Sequence, residues 1–468
     1  MTRAQAIAIL ELDRAAAVAA ILALARKAEL YDQLQRAGGP ASTDAAKPAP
    51  CTPSGMTPVY QKPNHRRRRK KPGRKAGHPG RGRRRPERID ARQTHTLQNC
   101  PHCQGPVSAR PVRSHRRYVE DIPPVPAQVT EHTVHGHWCG RCGRIVTPVV
   151  TAALPGARLG LRLMVLTAWL HYAVGVSVQN LVRLLNVMCS LPVSVGGLTH
   201  AWGRLAQVLA PRYQAIRQTV AKSAVLHADE TGWRVNGVTC WLWAFANRSW
   251  CYYLIARERA SPIVRQVLGT FFAGTLICDF YGAYNRIASL AKQRCYFHLF
   301  TELVRVDQRN TSAAWRAFRK KLGRLLRDAV RLAEHGRARL APAIYERRCQ
   351  RIEARLDPLL AAPATDLDVR RLHKRLRRHR GELFTFLRQE GVSPYNNHAE
   401  QQMRPAVLVR KVSQQNRSAR GAQTQAILMS LFRSCALQGQ NPVETVLAQA
   451  QEELARPASS AHAQSQAA

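Results

Sequence analysis

The chain has 468 residues, 45% of them apolar, and carries 72 Lys and Arg against 29 Asp and Glu, a formal net charge of +43. That length accommodates about two to four domains with real cores, which excludes a chain disordered throughout. So large a charge excess opposes compaction by self-repulsion and therefore points to a polyanionic partner, nucleic acid first. A GC-rich coding sequence accounts for the preference of Arg over Lys, but not for the shortage of acids. The 12 cysteines are scattered apart from two C-x-x-C pairs, which is unlike a disulfide framework, so a cytoplasmic protein is expected.

In chain order, Ala15–Ala25 is apolar, but Glu11 and Asp13 precede it and it is too short to span a bilayer. It reads as one side of a helix over 3–37, within a segment 1–38 that Gly38, Gly39 and Pro40 stop, and no membrane partner is expected. Its heptad spacing is poor, so self-pairing through this helix stays open. Residues 39–90 read as a linker and then a disordered basic arm, with 14 Lys or Arg between Gln61 and Asp90 and repeated Pro and Gly. Arg66, Arg67, Arg68, Arg69, Lys70 and Lys71 form its densest run and are expected to contact DNA phosphates; the bland alternative is a solvated tail.

Residues 91–150 hold Cys100-Pro101-His102-Cys103 and Cys139-Gly140-Arg141-Cys142, with 35 residues between the pairs. Each pair can turn tightly enough to give one ion two thiolates, and four thiolates close a structural zinc site. The long gap predicts a small β insert around Tyr118 to Thr133. His102 and His137 are alternative ligands, and reduced cysteines in a small apolar core are the alternative to a metal. Residues 157–221 predict helices over Leu159–Leu170, Ser177–Val187 and Ser194–Val208, as a helix-turn-helix or a plain bundle.

The periodicity then changes. Strands are predicted at Ala224–His227, Trp241–Ala246 and Trp250–Ala256, a helix from Pro262 to Phe271, a strand over Gly274–Cys278, a helix over Tyr284–Leu290 and a fifth strand over Arg294–Phe297. A three-strand meander followed by alternating helix and strand is a mixed α/β sheet. Residues 299–392 read as a basic helical insertion, 23 Lys or Arg against 11 acids. Helices are predicted at about 399–410 and 420–438, and a disordered tail over 455–468.

In so basic a chain the acids at strand ends stand out. Asp229 follows the first strand and Asp279 the fourth; if those strands are neighbours, both carboxylates project at one end of the sheet. Acids so placed can share two divalent ions about 4 Å apart, the arrangement that clamps the attacking and leaving oxygens of a phosphoryl displacement. Hard oxygen ligands select Mg²⁺ or Mn²⁺. Glu400, opening a helix ahead of Arg404, Arg410 and Lys411, is the candidate third acid; its other reading is a partner of the helix dipole. The three cations are expected on the DNA backbone. Glu230 should alternate away from Asp229 along an extended chain. His227 reads as a core or supporting histidine, and Cys295-x-x-His298 as half a zinc site at best, a packing element or a DNA-positioning element.

The stretch His227-Ala228-Asp229-Glu230-Thr231-Gly232-Trp233 resembles the first catalytic motif of the IS66 family of insertion-sequence transposases. Cys278-Asp279-Phe280-Tyr281-Gly282-Ala283-Tyr284 resembles its second. Asn396-Asn397-His398-Ala399-Glu400-Gln401-Gln402-Met403-Arg404-Pro405, running on to Arg410-Lys411, resembles its third. The resemblance spans about residues 60–445. It implies a ribonuclease-H-like catalytic core over 222–298 and 393–440 whose metal ligands are Asp229, Asp279 and Glu400. It also implies a zinc-binding domain ahead of it and action in the bacterial nucleoid. Gln401 stands where that family usually has Arg, and the N-terminal helix is less zipper-like than the family's.

The implied chemistry is cleavage at the ends of a mobile element, followed by attack of the freed 3′-hydroxyl on target DNA. DNA is the expected partner, with self-association to bring two ends together and possible accessory proteins of the same element. Two other readings stay open: a catalytically inactive zinc-containing DNA-binding protein of transposase descent, and a nuclease or resolvase that cuts without joining.

Overall fold

The computed structural model describes residues 85–122 and 125–456. The helix expected over 1–38, the run Arg66, Arg67, Arg68, Arg69, Lys70 and Lys71, and the tail from 457 lie outside the described residues.

Strands β1 (His137–Cys139) and β2 (Arg144–Val146) form an antiparallel hairpin that pairs His137 with Val146 and Cys139 with Arg144. Among the described residues between Val107 and Gly136 no strand forms, so the expected β insert around Tyr118 to Thr133 is absent. Pro111 and Pro126 lie in that stretch and offer no N–H to a ladder.

Helix α1 (Leu161–Trp169) passes into a wider turn, Leu170–Val174, and stops at Gly175, whose φ is +87°. Helices α2 (Val178–Cys189), α3 (Val195–Val208) and α4 (Ala210–Ala221) follow. Ser177 and Ser194 open α2 and α3 by accepting from the backbone N–H of Asn180 at 3.2 Å and of Gly197 at 2.9 Å. Leu198, Trp202 and Leu205 of α3 are fully buried. They belong to the same apolar core as the sheet, which places α3 as a bundle helix packed on the fold.

The sheet contains five strands in the order β5-β4-β3-β6-β7: β3 (Val225–Val235), β4 (Val238–Ala246), β5 (Cys251–Ala256), β6 (Phe271–Cys278) and β7 (Ala288–Arg294). The first three pair antiparallel, β6 pairs parallel to β3, and β7 parallel to β6. Helix α5 (Ser261–Leu268) makes the crossover from β5 to β6 and ends at Gly269, φ +80°. This mixed order, with helices around it, fits a ribonuclease-H-like core.

Three local expectations change. β3 does not end before Asp229 but continues to a two-residue hairpin at Asn236-Gly237, both with positive φ (49° and 75°), the turn type Asn-Gly favours. The helix expected over Tyr284–Leu290 is a short 3₁₀ turn, Gly282–Arg286, followed by β7. The strand expected over Arg294–Phe297 is the end of β7 and the start of α6 (Tyr296–Asp307). The sequence Ala288-Ser-Leu-Ala-Lys-Gln-Arg294 has no β-branched residue and suits a helix by propensity; hydrogen bonding to β6 overrides it.

Helices α7 (Ala313–Arg331), α8 (Pro342–Ala354), α9 (Leu356–Ala361), α10 (Leu367–Arg378) and α11 (Thr385–Arg388) build, with α6, a second core around Leu303, Trp315, Leu326 and Leu372. The chain then returns through α12 (Asn397–Ser413), α13 (Ala419–Leu437) and α14 (Pro442–Ala455), whose Met403, Phe432 and Val446 join the first core. Alternation along the strands divides the two cores: Leu226, Ala228, Leu276 and Cys278 belong to the first, Ile277 to the second.

Candidate active site

Val225, Leu226 and His227 lie opposite Thr275, Leu276 and Ile277. Carried two residues on, the same register sets Asp229 level with Asp279, immediately beyond β6. Asp229 keeps the parity of His227 in β3; Asp279 lies just past β6, where its charge raises both Asp229 and Glu230. Asp229 is held inside β3 by its antiparallel pairing with Ala244 of β4. Asp279 is fixed by its Oδ1, which accepts from the Tyr281 N–H at 2.8 Å, and by its carbonyl, which accepts from Arg294 at 2.7 Å.

Glu400 lies in the first turn of α12 and its charge acts on Asp229, but the three carboxylates do not share metal-ligand spacing: among the described residues Glu400 has that spacing to Cys295 and His298. That helix is pinned by Asn396, a fully buried residue. The Asn396 amide donates to the Ala228 carbonyl at 2.8 Å and its Oδ1 accepts from His227 Nδ1 at 3.0 Å. Asn396 thus ties the start of α12 to the two residues preceding Asp229.

The electrostatics of the group are those of crowded acids. Burial first, then the charges of Glu230, Asp279 and Glu400, hold the Asp229 carboxyl well above the usual carboxylate range. Burial also raises Glu400, against the opposing pull of His298 and Arg404. Glu400 Oε1 is buried with no hydrogen-bond partner. A buried, unpartnered carboxylate oxygen is costly unless a cation compensates it. The donor set of oxygens suits Mg²⁺ or Mn²⁺.

Glu230 takes the other face, where Arg259 holds it at 2.7 and 3.0 Å and the Tyr284 hydroxyl donates to it. Burial, then Asp279, pushes Glu230 up to about 7 against the opposing effect of Arg259. Arg259 itself is sandwiched over the rings of Tyr281 and Trp241, 3.9 and 4.5 Å from their centroids.

The expected DNA contacts divide. Arg404 and Lys411 are exposed on α12. Arg410 is only 6% exposed, donates to the Thr231 hydroxyl and the Gly232 carbonyl, and lies over the Trp233 ring. It braces β3 against α12 rather than offering its charge to a phosphate. A reading from helical position alone could not separate it from its exposed neighbour Lys411.

Both cysteine pairs form tight turns. Cys100 accepts from Gln104 N–H and donates to Gly105, each at 2.8 Å through the backbone, and Cys139 accepts from Gly143 N–H at 2.9 Å. Backbone N–H groups within each turn lower the Cys100 and Cys139 thiols from their usual range. The four sulfurs of Cys100, Cys103, Cys139 and Cys142 nevertheless do not come together: among the described residues, the one cluster with metal-ligand spacing is Cys295, His298 and Glu400. The third member of that cluster, beyond Cys295 and His298, therefore comes from α12, which sequence spacing could not disclose. Arg294 was also invisible as a site residue. It is fully buried and bonds Glu382 at 2.6 Å, Asn285 at 2.8 Å and the Asp279 carbonyl.

A strongly basic surface lies in the insertion. Exposed Arg331, His335, Arg339, Arg348 and Arg351 line one groove between α7 and α8. Arg355 at its edge is paired with Asp328 at 2.9 Å. No helix among the described residues is long and apolar enough to cross a membrane.

No curated protein matches the chain. The family model for the IS66 family transposase matches residues 156–424, more than half of the chain, and the chain belongs to that family.

Proposed function

We propose that this member of the IS66 transposase family catalyses DNA transposition with Asp229, Asp279 and Glu400 as its metal-binding acids. What supports the reading is the position of Asp229 in β3 and of Asp279 directly after the neighbouring parallel strand β6, with the charges of Asp279 and Glu400 both raising Asp229; bound metal would draw Glu400 in to complete the set. Two divalent ions bound there would supply a water-derived nucleophile at neutral pH and stabilise the charge that builds up around phosphorus. The chain's own part is to fix the three carboxylates: β3 and β6 by ladder hydrogen bonds, α12 through Asn396. Arg294 holds the backbone of Asp279 in place.

In the first step water attacks phosphorus at the element end, and the P–O3′ bond breaks to leave a 3′-hydroxyl. In the second, that hydroxyl attacks a target phosphodiester and displaces its 3′-oxygen, so one bond forms for each bond broken. Neither step needs a serine or tyrosine nucleophile. Exposed Arg404 and Lys411 lie on the helix that carries Glu400 and would hold the DNA backbone beside it. The arginine groove of the insertion would extend that surface. The cysteine turns at 100–103 and 139–142 would take zinc in a closed four-thiolate site once brought together by metal or DNA. Self-association to synapse two ends belongs to the same proposal.

Purified full-length protein, element-end DNA and Mn²⁺ test it directly. Wild type should give a nicked product and, with target DNA, a strand-transfer product; Asp229→Asn, Asp279→Ala and Glu400→Gln should each lose at least a hundredfold in both. Cleavage by Asp279→Ala at the wild-type rate would falsify the assignment. Cleavage without any joined product would leave a nuclease.

A further inference from the structure

Glu400 stands in a second setting besides the three acids. Cys295 closes β7 and caps α6, and His298 lies in the first turn of that helix. One ligand atom from each of Cys295, His298 and Glu400 lies within 4.8 Å of the others. A tetrahedral ion with bonds of about 2.0–2.3 Å holds its ligand atoms about 3.3–3.8 Å apart, so small side-chain movements close the distance.

Independent features point to a ligand there. His298 Nδ1 and Glu400 Oε1 are both buried without a hydrogen-bond partner, on two residues of the same close cluster. The Cys295 sulfur is fully buried and accepts from the Asn396 backbone N–H at 3.1 Å, with the N–H groups of His298 and Phe297 also directed at it. Burial pushes the Cys295 thiol up to about 11 against these N–H donors, so a bound thiophilic ion would have to displace its proton.

We propose that Cys295, His298 and Glu400 bind one thiophilic divalent ion of the zinc class, with three protein ligands and a fourth position open. Sulfur and imidazole select Zn²⁺ or Co²⁺ over Mg²⁺, and an open position distinguishes this site from a closed four-thiolate one. Because Glu400 cannot serve both sites fully, the zinc-class ion would withdraw it from the acids. This regulatory consequence rests on the role of Glu400 proposed above; the binding site itself does not.

Cobalt(II) tests the site. Full-length protein stripped by chelator is titrated with CoCl₂ in excess Mg²⁺, and tightly bound cobalt is counted while the thiolate-to-cobalt absorption in the near ultraviolet is recorded. Wild type should hold one equivalent more than Cys295→Ser and one more than His298→Asn, with a matching drop in the absorption of Cys295→Ser. His298 is half-exposed, so His298→Asn, checked by circular dichroism, preserves the test if Cys295→Ser fails to fold. Equal cobalt content in wild type and folded His298→Asn overturns the proposal. Asp279→Ala should keep the extra equivalent, so failure of the three-acid assignment reads out separately. In the cleavage assay, Zn²⁺ should inhibit wild type at a concentration at least tenfold lower than it inhibits His298→Asn.

Discussion

Gly274 shows how closely β6 passes the segment entering β3. A Cβ there would meet the carbonyl oxygens of Ser223 at 2.2 Å and Ala224 at 2.9 Å. Backbone atoms cannot rotate away as a side chain can, and Thr275 N–H already bonds the Ala224 carbonyl at 2.8 Å. Gly274→Ala should therefore destabilise by about 1–3 kcal/mol, seen as a fall in thermal midpoint. Since β3 and β6 carry Asp229 and Asp279, cleavage should fall with it. Arg410 makes the same point for charge. Its guanidinium is committed to the Gly232 carbonyl and the Trp233 ring, so Arg410→Gln should lower stability by about 1–3 kcal/mol and leave the salt dependence of DNA binding unchanged. A shift in salt slope equal to that of an exposed Arg→Gln control would sink this reading.

Among the elements, α7 and α10 share one acid. Asp366 caps α10 by accepting from Asp368 and Val369 N–H at 2.9 and 3.1 Å, and it accepts from the Ser312 hydroxyl at 2.7 Å and from the Asn310 amide. Ser312 in turn caps α7. The hydrogen bonds from Ser312 and Asn310 hold Asp366 down to about 2. An unfolded aspartate titrates near ~3.9, so the folded state favours the charged form. The stabilisation is present above about pH 4 and is lost as pH falls toward 2. Asp366→Ala should cost about 1 kcal/mol at pH 7, and the gap from wild type should narrow in thermal melts between pH 4 and 2. A gap that stays constant over that range would exclude the cap's charge as the cause.

The same scale shows where reading the sequence succeeded and where it stopped. Alternation in Trp241–Ala246 and Pro262 at the start of α5 are signals that act within a few residues, and those elements start close to where they are expected, although Gly269 ends α5 short of the expected Phe271. The expected helix over Tyr284–Leu290 overlaps the start of β7 because Ala288–Leu290 prefer helix, and their strand form comes from β6 alone. β3 was cut short because its outward half alternates polar and apolar residues poorly, although Asn236-Gly237 marked its true end.

For the whole molecule, the charge excess is spread unevenly over surface and interior. Arg294 and Arg410 are buried, whereas Arg348 and Arg351 line an open groove and form no salt bridge among the described residues. Each phosphate contact contributes about one unit of slope to log K against log salt. Arg348→Ala with Arg351→Ala should thus weaken DNA binding and reduce that slope by about 2, with thermal stability little changed. An unchanged slope would place the DNA elsewhere on the surface.

Composition and motif order, by themselves, determined that this chain meets a polyanion and that Asp229, Asp279 and Glu400 are its candidate acids, because charge balance and short motifs are properties of neighbouring residues. They did not determine which basic residues are free, which strand turns helical, or what completes Cys295-x-x-His298. Those depend on segments separated by the whole insertion: Asn396 joins α12 to β3, and Glu400 comes to lie with Cys295 and His298. Packing decides them, since the partner of a side chain is set by the return of the chain in space, and no local pattern encodes where that return falls.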